Sequence, residues 1–382
     1  KGIFRLKNVP KKILGQKLGD FGASVDSSGT GLLYLSETVS KVKYLKPGKI
    51  SERVIASKIS GEDSGFSYNN AAAADFDFYN NYLPFEVNVV SPIAGNALSH
   101  YRYQLENTFR TSSKQLIYKI KVLPRSKRKA AMYGHIYIID GSWELYAVDL
   151  SIKGSQIKQD LLNTLTIRQN FGYNSEAKLW TRNTQTIDFD AGLMGVGYEG
   201  RFTSVYSNFT INPQFEKGTF TAEIQSFEAD ANKKSDSYWN ERPIPLTDEE
   251  KEDYRKKDSV QAIANTEAYM DALDNERNKF KLLSVPVGYT YRNTYENWQI
   301  KYTGIIKRLG FNTAQAYALG PGFHFTQFHN REKTSYTTFG TDLNYGFAEQ
   351  RFRATGTISH KFDDFTKRII TLSGGSTLEQ YN

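Results

Sequence analysis

The chain has 382 residues, 49 Lys and Arg against 41 Asp and Glu for a net charge of +8, and no cysteine. That length holds two or three domains with sizeable cores, and the missing cysteine excludes disulfides, thiolate metal sites and cysteine nucleophiles. No run nears the roughly eighteen apolar residues of a membrane-crossing helix, whereas spans made of strands stay open, because half of their residues are polar.

Aromatic residues are abundant, with 25 Tyr and 24 Phe against 3 Met, while the mean hydropathy is only −0.55. That combination suits β-structure with one wet face. The chain opens at Lys1 without an initiator Met or an apolar leader, so a processed or partial sequence is expected.

The first region, residues 1–213, reads as an antiparallel β half-barrel. Leu32 to Tyr44 has the β-branched and aromatic bias of a strand, Pro47-Gly48 marks a turn, and Ser51 to Ile59 reads as the return strand. After the polar, Ala-rich stretch 69–74, strands are predicted at His100–Leu105, Tyr118–Val122, His135–Asp140 and Trp143–Leu150. Consecutive antiparallel strands with tight turns predict one large curved meander. Asp140-Gly141 has the chemistry of a hairpin turn. The basic run Arg125-Ser-Lys127-Arg128-Lys129 reads as a solvated hairpin tip, or as a contact for anionic lipid headgroups or a partner. No binding motif accompanies it, so nucleic acid is not an expected partner.

The second region, residues 214–281, changes character. Trp239 to Pro245 carries two prolines and reads as an extended linker. Thr247-Asp-Glu-Glu250 is a capping box with an acidic first turn, and Val260, Ile263, Ala264, Met270 and Leu273 supply an apolar stripe. One or two polar connecting helices are predicted.

The third region, residues 282–382, alternates apolar and polar residues. One register runs Leu283, Val285, Val287, Tyr289, Tyr291, a second Phe339, Thr341, Leu343, Tyr345, Phe347, and a third Phe352, Ala354, Gly356, Ile358. A period of two gives each strand one greasy and one wet face. Segments of this length, rich in aromatics, resemble the strands of a transmembrane β-barrel, although a soluble sandwich also shows polar outer faces. Roughly six such strands are counted where closed barrels start at about eight, so further strands outside this chain, or another copy, are expected to close the sheet.

No catalytic constellation emerges. Of the five histidines, 100, 135, 324, 329 and 360, only His324 and His329, five apart, have a metal-ligand spacing, and no carboxylate pattern surrounds them. Gly192-Leu-Met-Gly195-Val-Gly197 lacks the strand-turn-helix context of a nucleotide loop. Asp140 and Asp149 make a conceivable carboxylate pair, although turn chemistry explains Asp140 better. Neither an enzyme nor a cofactor is expected.

Tyr34–Lys41, Ser57–Gly61, Phe78-Tyr-Asn80, Ser91-Pro-Ile-Ala94, Asn96-Ala-Leu98 and Tyr101-Arg-Tyr103 with Leu105-Glu106 form an ordered set. It continues with Gly134–Asp140 and Trp143, Arg242-Pro-Ile-Pro245 and Phe311-Asn-Thr313. This set resembles the uncharacterised Bacteroidetes outer-membrane proteins that usually carry a carboxypeptidase-regulatory-like β-sandwich at the N-terminus. The resemblance implies a preceding sandwich and a C-terminal barrel continuing beyond this chain. It brings no catalytic residues. The strands around Tyr101–Leu150 are also similar to the half-barrel of lipoprotein carriers, whose concave face cradles acyl chains.

The expected function is therefore that of a non-enzymatic protein of the bacterial outer membrane, with its N-terminal part in the periplasm. The half-barrel would bind a hydrophobic ligand, lipid or lipoprotein, or dock an envelope-assembly partner. Tyr118, Ile120, Val122, Ile136, Ile138, Trp143 and Leu145 are the candidate ligand contacts, and Arg125, Lys127, Arg128 and Lys129 the headgroup or partner contacts. The same apolar side chains equally suit the sheet's own core. The alternative is a purely structural or interaction subunit of an outer-membrane complex with no small ligand.

Overall fold

The structure, a computed structural model, describes residues 1–7, 12–13, 16–17, 30–46, 48–60, 70–71, 75–126, 128–193, 196–330, 333–362, 368–376 and 378. The chain divides into two units, Lys1–Asp258 and Ser259–Asn382.

The first unit is built on one 11-stranded sheet. Its strands are β1 (Gly2–Lys7), β2 (Gly31–Leu45), β3 (Lys49–Ile59), β4 (Tyr101–Arg110), β5 (Leu116–Pro124) and β6 (Tyr133–Ile139). They continue as β7 (Leu145–Lys153), β8 (Leu162–Asn174), β9 (Leu179–Leu193), β10 (Val196–Val205) and β11 (Gln225–Phe227). The order is β11-β3-β2-β1-β10-β9-β8-β7-β6-β5-β4. From β4 to β10 it is the expected meander, each strand turning back on its predecessor. Two features depart from a simple meander: β1 inserts between β2 and β10, and β11, from beyond residue 213, pairs parallel to β3.

Alternation puts one side chain in two on each face, and register aligns them across strands. Ile136 pairs with Ile120 and Val148, Leu150 with Ile167, and Ile167 with Ile187, so these side chains share a face. That face is covered by the segment from Asp75 to Ser99, which crosses it as an irregular strap. Phe76, Phe78, Leu83, Val89 and Val90 of the strap are buried with the sheet residues in a single core.

Helix α1 (Asp236–Asn240) holds Trp239, which is buried. The expected extended linker thus begins only after Asn240. Helix α2 (Asp248–Ala264) starts on the capping box. The Thr247 N–H donates to Glu250 Oε2 at 2.8 Å, and the Glu250 N–H donates to Thr247 Oγ1 at 3.3 Å, which satisfies two N-terminal amides reciprocally. Tyr254 then packs with Ile3, Leu32 and Leu35 into a second small core. The stripe residues Val260 and Ile263 are exposed.

In the second unit, helix α3 (Glu267–Arg277) precedes a sheet of eight strands. They are β12 (Tyr289–Asn293), β13 (Trp298–Tyr302), β14 (Gly310–Asn312), β15 (Ala316–Leu319), β16 (Gly322–Phe328), β17 (Tyr336–Gly346), β18 (Arg351–Lys361) and β19 (Ile369–Gly375). All the pairings are antiparallel; β17 has β16 and then β15 on one side and β18 on the other, with β19 beyond. One expectation is corrected here. Leu283, Val285 and Val287 do not extend the first strand: Ser284–Val287 is a short helical turn, and the strand starts at Tyr289. Pro286 explains the difference, since it lacks the N–H that a ladder position would donate.

Candidate functional site

Register places Tyr118, Ile120 and Val122 of β5 opposite Ile138, Ile136 and Gly134 of β6, and Ile138 opposite Leu145 of β7. The six candidate strand residues therefore share the face read from the sequence. Val122, Ile136, Ile138 and Leu145 are buried in the core that the strap completes, and Ile120 packs against it. The strap is tied down by buried polar bonds. Tyr101 donates to the Val90 carbonyl at 2.5 Å and Tyr103 to the Pro92 carbonyl at 2.6 Å. Burial pushes both phenols up to about 12. Gln169 Nε2 donates to the Phe76 carbonyl and to Gln185 Oε1, and Arg182 pairs with Asp75 at 2.9 Å. The strap was not legible as a cover, because its aromatic residues follow no period.

Trp143 is different. It lies in the hairpin turn between β6 and β7, 68% exposed, at a φ of +58°. A bulky side chain in that backbone region is a true outlier, since its Cβ crowds the following carbonyl. Its ring stacks on Tyr118 with centroids 6.0 Å apart. Tyr118 donates to Asp140 Oδ1 at 2.8 Å; that bond, with burial, holds the phenol above its ordinary range. Asp149 instead pairs with Arg168 at 3.2 Å, so the two aspartates serve separate partners.

Around this end of the sheet more aromatics gather. Phe109 touches Tyr137 and Tyr146, Tyr146 touches Trp180, and Trp180 touches Tyr173, with centroids 5.9–6.3 Å apart. These residues flank the turns that join β4 to β5, β6 to β7 and β8 to β9. The basic run lies at the opposite ends of β5 and β6. There the Arg125 Nε–H donates to the Leu98 and Tyr101 carbonyls at 2.8 and 3.0 Å, which makes it a clamp on the strap's end. Arg128 and Lys129 are exposed, and Lys127 lies outside the described residues.

The other face of the sheet carries the small core around Tyr254 and, beside it, a charged patch. Arg168 and Arg201 both reach Asp188, and Arg5 pairs with Glu249 at 2.8 Å. Arg5, Arg168, Asp188 and Arg201 line an open groove of about 460 Å³, with Asp190 and Glu199, whose charges do not suit an acyl chain.

In the second unit, register gathers Tyr291, Ile300, Phe325, Phe339, Ile358 and Leu372 on one face across six strands. All six are exposed, Leu372 by 72%. The opposite face is polar and bonded to itself. Thr326 and Thr338 share a hydrogen bond at 3.0 Å, Arg308 pairs with Asp342, and Arg353 forks onto both oxygens of Glu349 at 2.9 and 2.6 Å. Among the described residues no group of three or more His, Asp or Glu is arranged to hold a metal.

These features define a mainly β protein: a large mixed sheet, a short helical segment, and a curled antiparallel half-barrel sheet. Residues 1–209 match the model of a family of unknown function, DUF5686, and residues 281–382 match the C-terminal domain of that family. The chain belongs to this family. No curated protein matches it.

Proposed function

We propose that this chain is a non-enzymatic β-barrel protein of the bacterial outer membrane, its first unit lying in the periplasm. One observation carries the reading: the exposed apolar face that runs unbroken across β12, β13, β16, β17, β18 and β19, backed by a self-bonded polar face. A sheet facing water on both sides would not gather its large apolar side chains on one uncovered face. A barrel in lipid requires that arrangement, with apolar residues outward and polar residues inward. The lengths fit as well, since β17 and β18 have 11 residues each and a tilted strand crosses a bilayer in about 9–11.

The first unit, on this reading, meets a hydrophobic ligand such as a lipid or lipoprotein chain, or an envelope-assembly partner. Trp143 on Tyr118 is the accessible contact of the apolar face, because the strap fills the rest of it, while Phe109 and Tyr137 stand on the opposite face. Indole and phenol rings suit a boundary that is apolar on one side and wet on the other. Arg128 and Lys129 offer charge to an anionic headgroup from the other end of the sheet. A second reading, a docking subunit without a small ligand, is favoured by the same filled core.

Heat-modifiable migration of the full-length protein on gels, with and without detergent, tests the membrane reading. Folding only in detergent or lipid, with a heat-dependent shift, is expected. A monodisperse, folded protein in plain buffer overturns it.

A further inference from the structure

Three strands bring two of the five histidines together in the second unit. His360 of β18 stands opposite Thr337 of β17, and His329 follows the end of β16. The His329 N–H donates to the Ser335 carbonyl at 2.9 Å, which closes the connection between β16 and β17. His329 Nε2 then lies 2.7 Å from Thr337 Oγ1, and His360 Nδ1 lies 2.8 Å from the same oxygen. The two rings are 5.5 Å apart between centroids and Phe362 packs edge-on against His360 at 4.5 Å, fixing its plane.

Two imidazole nitrogens thus converge on one hydroxyl. The Thr337 hydroxyl can donate to one ring nitrogen while accepting an N–H from the other; in the tautomers that leave both nitrogens unprotonated, its single proton meets only one of them, and the other lone pair points to the same spot unpaired. Neutral imidazole nitrogens are the preferred ligands of zinc and copper, at about 2.0–2.1 Å for zinc, and side-chain shifts of about 1 Å would bring both to that distance. The neighbouring lysines are engaged elsewhere, Lys333 over the Phe328 ring at 5.1 Å and Lys361 over the Tyr336 ring at 6.0 Å.

We propose that His329 Nε2 and His360 Nδ1 form a site for a divalent transition-metal ion, Zn²⁺ or Cu²⁺, with the Thr337 hydroxyl and water completing the coordination. Among the described residues no further His, Asp or Glu joins the pair. The site takes nitrogen-seeking metals and leaves Mg²⁺ and Ca²⁺, which require oxygen ligands. It does not depend on the membrane reading.

The test is calorimetric titration of Zn²⁺ into the whole chain without a histidine tag, at a pH above the ordinary imidazole range, beside His329→Asn, His360→Asn and His324→Asn. The proposal expects one saturable site, weakened at least about tenfold in each of the first two variants, which lose a ligand, and unchanged in the third. Cu²⁺ in the same site should show hyperfine splitting from two nitrogens, and Mg²⁺ should not compete. His329 is exposed, so His329→Asn keeps the fold. Absence of saturable Zn²⁺ binding, or full retention of binding in either His329→Asn or His360→Asn, overturns the proposal.

Discussion

Trp143 lies nearly parallel to Tyr118, the planes 10° apart and the centroids separated by 6.0 Å. The indole is held there by a backbone in the left-handed region, at φ +58°. A residue suited to that region, Gly or Asn, would spare the turn about 1–2 kcal/mol of strain. The stack returns about 0.5–1.5 kcal/mol at best, so packing alone does not explain the tryptophan. Strain kept at an exposed position points to use.

Trp143→Gly is therefore expected to leave the stability of the first unit within about 1 kcal/mol of the parent, since lost stacking and relieved strain offset. Binding of a fluorescent fatty acid or of lipid vesicles should fall sharply. Denaturant unfolding and the binding titration check the two halves. A loss of stability above about 3 kcal/mol would instead make Trp143 a structural residue.

Tyr101→Phe removes the bond to the Val90 carbonyl and the acceptor for the Met132 N–H, which lies 3.3 Å from the phenol oxygen. Both partners are left unmatched in a buried place, at a cost of about 1–3 kcal/mol. The phenol's raised value, about 12 against an ordinary 10, sets the pH dependence. Its contribution is fully present below pH 10 and is lost as the pH rises through about 12. Alkaline unfolding should begin in the strap, visible as earlier hydrogen exchange at Val89 and Val90, and the phenylalanine variant should lack that onset.

Glu37 is buried beside Arg242, at 3.0 Å, and accepts from the Tyr254 hydroxyl at 3.3 Å. Burial nevertheless dominates and raises its carboxyl above the ordinary carboxylate range. A raised acid binds its proton more readily in the folded state, so its contribution is full below the ordinary range and declines as pH rises through the raised value. Glu37→Gln should flatten that decline in pH-dependent melting. An unchanged slope would show that the carboxyl is not the source.

Gly134→Ala should lower stability by about 1–3 kcal/mol. The glycine holds φ +137°, and a Cβ there would lie 2.2 Å from the Asp149 carbonyl oxygen. Thermal melting checks it; an unperturbed melting temperature would mean that β6 and β7 can part without cost.

Much of this was legible in the residues. Alternation placed Tyr118, Ile120, Val122, Ile136, Ile138 and Leu145 on one face, and the capping box at Thr247 and Glu250 closes as its spacing requires. The strap was not legible. Phe76, Phe78 and Val90 are buried by contacts with strands far along the chain, and no local pattern announces such contacts. Insertion of β1 beside β10 is hidden for the same reason, since Phe4 meets Gly200 only in the folded sheet. Pro286 did signal the end of a ladder, but the alternation around it was stronger than one residue's veto.

The most direct measurement is a scan of nitroxide labels, one at a time from Thr338 to Leu343 in the full-length protein in lipid vesicles. Membrane-spanning strands predict a period of two. Labels at Phe339, Thr341 and Leu343 should be reached by oxygen and shielded from a water-soluble nickel chelate, and those at Thr338, Gly340 and Asp342 should show the reverse preference. Equal access of the nickel chelate to Phe339, Thr341 and Leu343 would contradict a lipid-facing sheet.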